Sequence, residues 1–408
     1  MLRTLLMLCL LAVALDANAQ PFTFPAEAAR DDVRMAVAMP ALATEIDQVY
    51  RDENAEREWL NRFRLRFVAG DHAGAIDAIR NLRRLRQEMG VADAGTQLLQ
   101  YEIVSTAKLA EAAGAEPAAA LRDAFRARFG TLDDRTAYRL RRAFGADLDL
   151  ARQDLHTALA PAIAQGRLEL PQALEAIRWY QFVQAFSVLS AQAPALLAED
   201  DARRFRIERD VRVAMPDGTM ISAMLVRPAS ADAPLPTLFQ FTIYANPDWL
   251  LADATWAAAH GYVGVVAVTR GKSLSGDPLA PPSRPVHPFE HDGADAAAVI
   301  GWIAEQPWSD GRVGMYGGSY NSFAQWAAAK HRPPALKAIA TSASAAPGID
   351  VPMQGNVFLN FMYPWPHYTT ANATLDEARY GDSARWQALD RRWYSGGSAY
   401  RDMDALDG

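Results

Sequence analysis

The sequence predicts an α/β protein whose α/β part is preceded by an all-α helical domain. The sequence pattern changes near Asp200. Before it, the chain is rich in Ala, Arg, Leu and Glu and has apolar residues three or four apart, which is typical of helices. After it, strand-like and helix-like segments alternate. The length of 408 residues is ample for more than one domain. With 50% hydrophobic and 22% charged residues, the composition excludes a disordered chain or a polytopic membrane protein. We therefore expect soluble globular domains.

Residues 1–19 have the form of a secretory signal peptide. Residues 1–3 are a short basic start, residues 5–15 are an apolar run, and residues 17–19 (Ala-Asn-Ala) match the small-x-small pattern of a cleavage site. The apolar run is shorter than the about 20 residues that a membrane span needs. We therefore expect an exported protein, periplasmic or secreted, with no stable membrane anchor after cleavage. The single cysteine, Cys9, lies inside this run, so thiol chemistry is not expected in the mature chain.

The charge balance excludes some classes of partner. There are 41 Lys and Arg residues against 48 Asp and Glu residues, which gives a formal net charge of -7. A chain with this charge has no general electrostatic attraction to nucleic acid or to anionic lipid, so neither is expected as a partner. No metal or organic cofactor is implied, because the sequence has no ligand-spaced set of His, Asp, Glu or Cys and no phosphate-binding glycine loop.

Residues 20–200 form the predicted helical domain. Trp59, Phe63 and Phe67 recur at every fourth position, which is the spacing of one helix face. The pattern breaks at residues 69–71 (Ala-Gly-Asp) and a second apolar stripe follows, which predicts an antiparallel helix pair. No fixed period continues through the rest of the domain, so a repeat array is not predicted.

Residues 205–350 form the predicted α/β core. The core opens with a β-hairpin, because a Pro-Asp-Gly turn at residues 216–218 separates two strand-like stretches. Strand-like and helix-like segments then alternate. The predicted strands are 237–242, 262–268, 312–316 and 336–341, and the predicted helices are 249–260, 292–305 and 321–330. This alternation implies a mostly parallel sheet with helices on both faces.

The segment at residues 310–323 (DGRVGMYGGSYNSF) is the most informative one for chemistry. A short strand ends in a turn of small residues centred on Ser319, and a helix begins directly after it. This is the context of a nucleophile elbow, in which Gly317 avoids a clash in the tight turn and the serine hydroxyl stands clear of the sheet. The N–H of Tyr320, at the start of the helix, would face negative charge developing on an attacked carbonyl. Small residues at such a turn also occur for packing alone, and Asn321 stands where the common motif ends in glycine.

A second oxyanion donor is expected from the loop after the third strand of such a fold. Here that loop is residues 243–248, and Tyr244 comes almost directly after the predicted strand. The Tyr244 hydroxyl is therefore a candidate donor to the oxyanion in place of a backbone N–H. The simpler alternative is a tyrosine at a strand end that packs on its neighbours.

Residues 210–344 resemble the X-Pro dipeptidyl-peptidase / cocaine esterase (CocE/NonD) family of serine hydrolases. The segments that carry the resemblance are DVRVAMPDG, TIYANPD, HGYVGVVAVTRGKSLSG and PWSDGRVGMYGGSYNSFAQWAAAKHRPPALKAIA, in that order. The resemblance implies an α/β-hydrolase fold and a small-molecule or peptide substrate. It also implies that Ser319 is the acyl-accepting nucleophile, with the Tyr320 amide and the Tyr244 hydroxyl as oxyanion donors.

The base that activates Ser319 must follow it in this fold, and only His331 and His367 do. His331 lies at the far end of the predicted helix. Ser319, Asp350 and His367 follow one another in the chain order of a triad, but this agreement is formal only. Residues 351–408 resemble the start of the family's helical cap, after which the family places its acid and its histidine. We therefore expect the acid and the base to lie beyond this sequence.

Two functions remain for comparison. The first is an exported serine hydrolase that cleaves an ester or an amide or peptide bond, as an X-Pro dipeptidyl-peptidase or an acyl ester hydrolase does, through an acyl-Ser319 intermediate. The second is a catalytically dead, hydrolase-like binding module that lacks the triad Asp and His.

Overall fold

A computed structural model of the chain describes residues 21–275, 286–370, 376 and 381–408. The chain divides into two compact units, one up to Asp200 and one from Asp201 onward. The predicted signal peptide lies outside the described residues. In the described part of the chain, no helix combines the length and the apolar character needed to cross a bilayer.

The first unit is built of helices together with one short antiparallel strand pair. The pair is β1 Phe22–Thr23 and β2 Arg167–Leu168. The helices are α1 Asp32–Val49, α2 Ala55–Ala69, α3 His72–Glu88, α4 Leu99–Ala112, α5 Pro117–Arg128, α6 Asp134–Leu140, α7 Leu148–Ala158, α8 Ala160–Gln165 and α9 Leu170–Arg204.

Helices α2 and α3 form the helix pair that the break at residues 69–71 predicts. Gly70 ends α2 in the left-handed conformation, with φ +83°, which glycine adopts without a steric penalty. Asp71 begins α3, because its side chain accepts a hydrogen bond from the N–H of Gly74. Phe63 and Phe67 of α2 are buried in a common cluster with apolar residues of α3, so the predicted stripe faces the core.

In the second unit, six strands among the described residues form one sheet. They are β3 Phe205–Ala214, β4 Met220–Pro228, β5 Leu235–Thr242, β6 Val263–Val268, β7 Ser309–Gly318 and β8 Leu336–Ser342. Their order across the sheet is β3-β4-β6-β5-β7-β8. Strand β4 is antiparallel to both of its neighbours, whereas β6, β5, β7 and β8 run parallel. An antiparallel second strand and a spatial exchange of the third and fourth strands are the topology of the α/β-hydrolase fold. The predicted fold class is confirmed.

Three helices pack on this sheet: α10 Pro247–Ala259, α11 Asp292–Ala304 and α12 Tyr320–Lys330. The core that they enclose is apolar, with Phe239, Val265, Ile300 and Val313 all fully buried. Because β5, β6, β7 and β8 are parallel, their carboxyl ends meet at one edge of the sheet. Open α/β sheets bind ligands at that edge.

The part of the unit after β8 contains short elements. They are the antiparallel pair β9 Met353–Gln354 and β10 Val357–Phe358, followed by α13 Pro364–Thr369, α14 Ser383–Gly396 and α15 Met403–Asp407. Trp386, Leu389 and Met403 are buried together in a small cluster of their own. Helix α13 instead contributes Trp365 to a cluster at the carboxyl edge of the sheet.

Candidate active site

Ser319 occupies the turn between β7 and α12 in a strained backbone conformation. Its φ is 58° and its ψ is -125°, a region that non-glycine residues rarely adopt. The turn is held on both sides, since Ser319 N–H donates to the carbonyl of Ser342 at 3.0 Å and Phe323 N–H donates to the carbonyl of Ser319 at 3.1 Å. The side chain is exposed. The hydroxyl therefore stands clear of the sheet, as the elbow motif predicts.

Tyr320 supplies two different groups to the site. Its amide is the first of α12, where N–H groups have no acceptor within the helix. Its side chain is buried, and the hydroxyl donates to Asp292 Oδ2 at 2.9 Å while accepting from the N–H of Phe289 at 2.9 Å. Asp292 also accepts from Thr269 Oγ1 at 2.6 Å. This network anchors the start of the helix from behind.

Burial dominates the electrostatics of this anchor. It raises the pKa of Tyr320, and the neighbouring carboxylate of Asp292 raises it further. Burial also raises the pKa of Asp292, which the hydrogen bonds from Thr269 and Tyr320 partly oppose. The phenol is therefore protonated and donates, and sequence reasoning did not find this role for its side chain.

Tyr244 lies close to Tyr320, with their ring centroids 6.4 Å apart in an edge arrangement. The Tyr244 hydroxyl accepts a long hydrogen bond of 3.4 Å from Trp365 Nε1. An indole N–H can only donate, so the Tyr244 oxygen is the acceptor and its own hydrogen is left to point elsewhere. The ring stacks on Tyr368 at 5.9 Å. The structure thus packs the rings of Tyr244 and Tyr320 against each other at the carboxyl edge of the sheet, and the contact with Trp365 leaves the hydrogen of the Tyr244 hydroxyl unused.

Aromatic side chains from distant parts of the unit surround this group. Phe289 packs on Tyr320 at 4.9 Å, on Phe323 at 5.0 Å and on Trp365 at 5.9 Å. The sequence pattern gave no signal for Phe289 or Trp365, because their partners lie far away along the chain. Their packing makes the surroundings of Tyr244 and Tyr320 apolar, and hydrogen bonds to a developing charge are stronger in such surroundings.

A cavity of about 730 Å³ opens beside Tyr244. Its lining residues are Gln240, Thr242, Tyr244, Asn246, Trp249, Leu250, Asp253, Asn321, Tyr368, Asp376 and Gly381. Asn321, which stands in the usual glycine position, donates from Nδ2 to Gln240 Oε1 at 3.1 Å and so links α12 to β5. Burial raises the pKa of Asp253, which also shares a hydrogen bond with Gln240. The cavity is large enough for a small substrate group.

Among the described residues, the two histidines that follow Ser319 in the chain have partners elsewhere or lie far from it. His331 follows the last residue of α12, about 16 Å along the helix from its start at 1.5 Å per residue. His367 packs on Tyr363 with 5.4 Å between the ring centroids and stacks on Trp386 at 5.9 Å. Among the described residues, neither histidine is hydrogen bonded to Ser319.

Asp350, the acid in the chain order Ser319, Asp350 and His367, is hydrogen bonded away from Ser319 and His367. Its Oδ1 accepts from the N–H of Ala346 at 2.7 Å, within its own turn. Within the described ranges, no group of three or more His, Cys, Asp or Glu side chains is arranged to hold a metal ion. The described residues thus hold the exposed Ser319 hydroxyl at the start of α12 and the Tyr244 hydroxyl at the same edge of the sheet, and Ser319 has no hydrogen bond to a His or Asp side chain among them.

The fold and this turn define an α/β-hydrolase-fold protein with a serine elbow at the carboxyl edge of its sheet. Residues 217–406 match the sequence profile of the X-Pro dipeptidyl-peptidase (S15) family. The resemblance of this part of the chain to that family is confirmed.

A curated relative is the cocaine esterase of Rhodococcus sp. (strain MB1 Bresler). It is 35% identical over 156 residues, which cover 37% of this chain and 26% of the esterase. The matched region thus spans about a quarter of the length of that relative.

Two solved structures are also similar. A CocE/NonD family hydrolase from Staphylococcus aureus is 28% identical, with a TM-score of 0.28, over 33% of this chain and 26% of that chain. An aminopeptidase from a marine sediment archaeon, Thaumarchaeota archaeon, is 21% identical, with a TM-score of 0.35, over 47% of this chain and 36% of that chain.

Proposed function

We propose that the protein is a serine hydrolase that cleaves an ester or an amide bond, peptide bonds included, through an acyl-Ser319 intermediate. The observation that carries the proposal is the strained conformation of Ser319, with φ 58° and ψ -125°, between a strand and the N-terminus of α12. Strain of this kind persists only where the surrounding structure holds it, and it is typical of functional sites. The match of residues 217–406 to the X-Pro dipeptidyl-peptidase (S15) family supports the same proposal.

The site residues have distinct roles in this reaction. Ser319 Oγ attacks the carbonyl carbon, and the carbonyl oxygen becomes negatively charged in a tetrahedral intermediate. The N–H of Tyr320 and the hydroxyl of Tyr244 donate hydrogen bonds to that oxygen. Collapse of the intermediate breaks the bond to the leaving group, which takes up the proton that the Ser319 hydroxyl gave up on attack and departs as an alcohol or an amine, and the acyl group stays on Ser319. Water then attacks the acyl-enzyme, which releases the acid and restores the serine.

A fluorophosphonate tests the proposal, because it phosphonylates activated serine nucleophiles. In the complete protein, we expect mass spectrometry to find the label on Ser319, and the label to disappear in Ser319→Ala. The matched control is Ser344→Ala, in the loop that follows β8 at the same edge of the sheet, and it keeps the label. A folded sample of the complete protein, isolated from its source, that takes up no label would contradict the proposal and favour the binding module without chemistry.

Substrate class and export need separate measurements. Parallel assays with p-nitrophenyl acetate and with Gly-Pro-p-nitroanilide compare an ester with a dipeptide amide, and hydrolysis that depends on Ser319 identifies the preferred class. We also propose export to the periplasm or the medium, on the pattern of residues 1–19. The mass of the protein recovered from its source tests this, because cleavage after Ala19 removes that peptide.

A further inference from the structure

A buried ion pair lies beside the loop that carries Tyr244. Lys272 Nζ contacts Asp376 Oδ1 at 2.9 Å, and the two side chains are only 0% and 7% exposed. Burial lowers the pKa of Lys272, and the charge of Asp376 opposes that effect. The role assigned above to the oxyanion donors uses neither residue.

Asp376 also binds the backbone of Ala245, the residue directly after Tyr244. The N–H of Ala245 donates to Asp376 Oδ1 at 2.9 Å, and the N–H of Asp376 donates back to the carbonyl of Ala245 at 3.3 Å. Both backbone groups of Ala245 are therefore held by one residue that lies 131 positions further along the chain. Ala245 itself is buried, where a backbone N–H or C=O without a partner is costly.

The neighbours of Ala245 are tied locally. The N–H of Tyr244 donates to Thr242 Oγ1 at 3.1 Å, at the end of β5. The side chain of Asn246 accepts from the N–H of Trp249 at 3.1 Å and so begins α10. Between these two fixed points, Asp376 holds the backbone of the residue after Tyr244.

We propose that Asp376 and Lys272 are positioning residues of the oxyanion hole. Asp376 clamps Ala245 and thereby sets the position of the Tyr244 hydroxyl, and Lys272 compensates the charge of the buried carboxylate that forms the clamp. The inference rests on the proposed role of Tyr244. A donor to an oxyanion must be held within roughly 0.5 Å of its productive position, which explains why a loop residue needs such support.

Three variants separate the clamp from the charge pair. Asp376→Ala removes the acceptor of Ala245 and leaves Lys272 buried without a partner. Lys272→Met leaves the carboxylate buried and uncompensated. The double variant Lys272→Met/Asp376→Asn is neutral and keeps an amide oxygen for the N–H of Ala245.

We expect the second-order rate constant of fluorophosphonate labelling at Ser319, per folded molecule, to fall about tenfold in each single variant, as for a weakened oxyanion donor. The neutral double variant is expected to return to within about threefold of wild type.

The matched control is Asp295→Asn, which breaks another buried ion pair of the same unit. Asp295 Oδ1 contacts Arg270 Nη2 at 2.5 Å, and its side chain is 3% exposed. We expect this variant to lower the thermal unfolding midpoint and to leave the labelling rate of the folded protein unchanged. If Asp295→Asn slowed labelling as much as Asp376→Ala, the effect of the clamp would be one of stability alone and the proposal would be overturned.

A second measurement does not depend on reactivity. Incorporation of 3-fluorotyrosine labels all 13 tyrosines, and Tyr244→Phe assigns the ¹⁹F resonance of Tyr244. We expect that resonance to move in Asp376→Ala and in Lys272→Met and to stay in place in Asp295→Asn. If the Tyr244 resonance does not move in the folded Asp376→Ala variant, the inference about Asp376 and Lys272 is overturned. If that resonance moves but Ser319 is never labelled by the fluorophosphonate, only the proposed function is overturned.

Discussion

A Cβ atom on Gly317 would lie 2.8 Å from the Cβ of Asn321, closer than Cβ atoms come to other heavy atoms in real proteins. The φ of Gly317 is +129°, a conformation that residues with a side chain rarely adopt. Asn321 is in turn fixed by its hydrogen bond to Gln240. Asn321 occupies the position where the common elbow motif has a glycine, and it fits there only because Gly317 has no side chain.

Gly317→Ala is therefore expected to displace the turn that holds Ser319. The strained backbone costs about 1–3 kcal/mol, and the contact with Asn321 adds to that cost. We expect a lower free energy of unfolding, measured in urea, and a loss of most fluorophosphonate labelling. The control is Gly301→Ala in α11, where an added Cβ meets nothing within 4 Å. That change is expected to stabilise the helix by about 0.5–1 kcal/mol, and equal losses in both variants would contradict the prediction.

Tyr244→Phe tests the second oxyanion donor. The ring keeps its stacking on Tyr368, so the free energy of unfolding is expected to change little. Loss of a donor to the oxyanion is expected to slow labelling or hydrolysis by about 10²–10³-fold. Tyr262→Phe is the matched control, because Tyr262 is 37% exposed and precedes β6 at the opposite edge of the sheet. A rate equal to that of wild type would assign Tyr244 a packing role only.

Local patterns were sufficient to predict the part of the site that local geometry builds. The position of Ser319 follows from a strand, a small-residue turn and a helix in immediate succession, and each has a signature within a few residues. The helix pair around Gly70 was predictable for the same reason. The alternation of strands and helices likewise predicted the parallel sheet, and with it the edge at which the turn of Ser319 and the loop of Tyr244 both lie.

Contacts between distant parts of the chain had no comparable signature. Trp365 lies 121 positions from Tyr244, and Asp376 lies 104 positions from Lys272. Which of the aromatic and acidic residues after β8 returns to the sheet edge is decided by tertiary packing, which periodicity does not report. The same holds for the buried hydroxyl of Tyr320, whose amide alone was predicted to act.

Tyr320→Phe is expected to weaken the anchor behind the elbow. The variant leaves Asp292 Oδ2 and the N–H of Phe289 without their hydroxyl partner, which costs about 1–3 kcal/mol. Because burial raises the pKa of Asp292, that residue makes folding less favourable as pH rises through its folded pKa. Losing a donor raises this folded pKa further, so the deficit of the variant grows with pH.

Urea unfolding from about pH 4, near the ordinary pKa of Asp, to about pH 8 measures this deficit. The control is Tyr394→Phe, because Tyr394 is 69% exposed. The control is expected to match wild type at every pH. A deficit of Tyr320→Phe that shrinks as pH rises would contradict the assigned role of Asp292.

Protonation of Asp52 is expected to contribute to the fall in the free energy of unfolding of the first unit at acid pH. Its carboxylate accepts two hydrogen bonds of 2.9 Å from Arg57 and one from the N–H of Asn54. The Arg57 guanidinium and the Asn54 amide lower the pKa of Asp52 from 3.8 to about 2. A lowered folded pKa means that the stabilisation is present above the unfolded pKa and is lost as pH falls from about 4 to about 2.

Asp52→Asn should therefore have a lower urea midpoint than wild type at about pH 5, and the two should converge as pH approaches 2. Asp77→Asn is the control, since the side chain of Asp77 is 67% exposed and lies 3.6 Å from Arg80. A difference between Asp52→Asn and wild type that stays constant across this range would show that Asp52 acts without titrating.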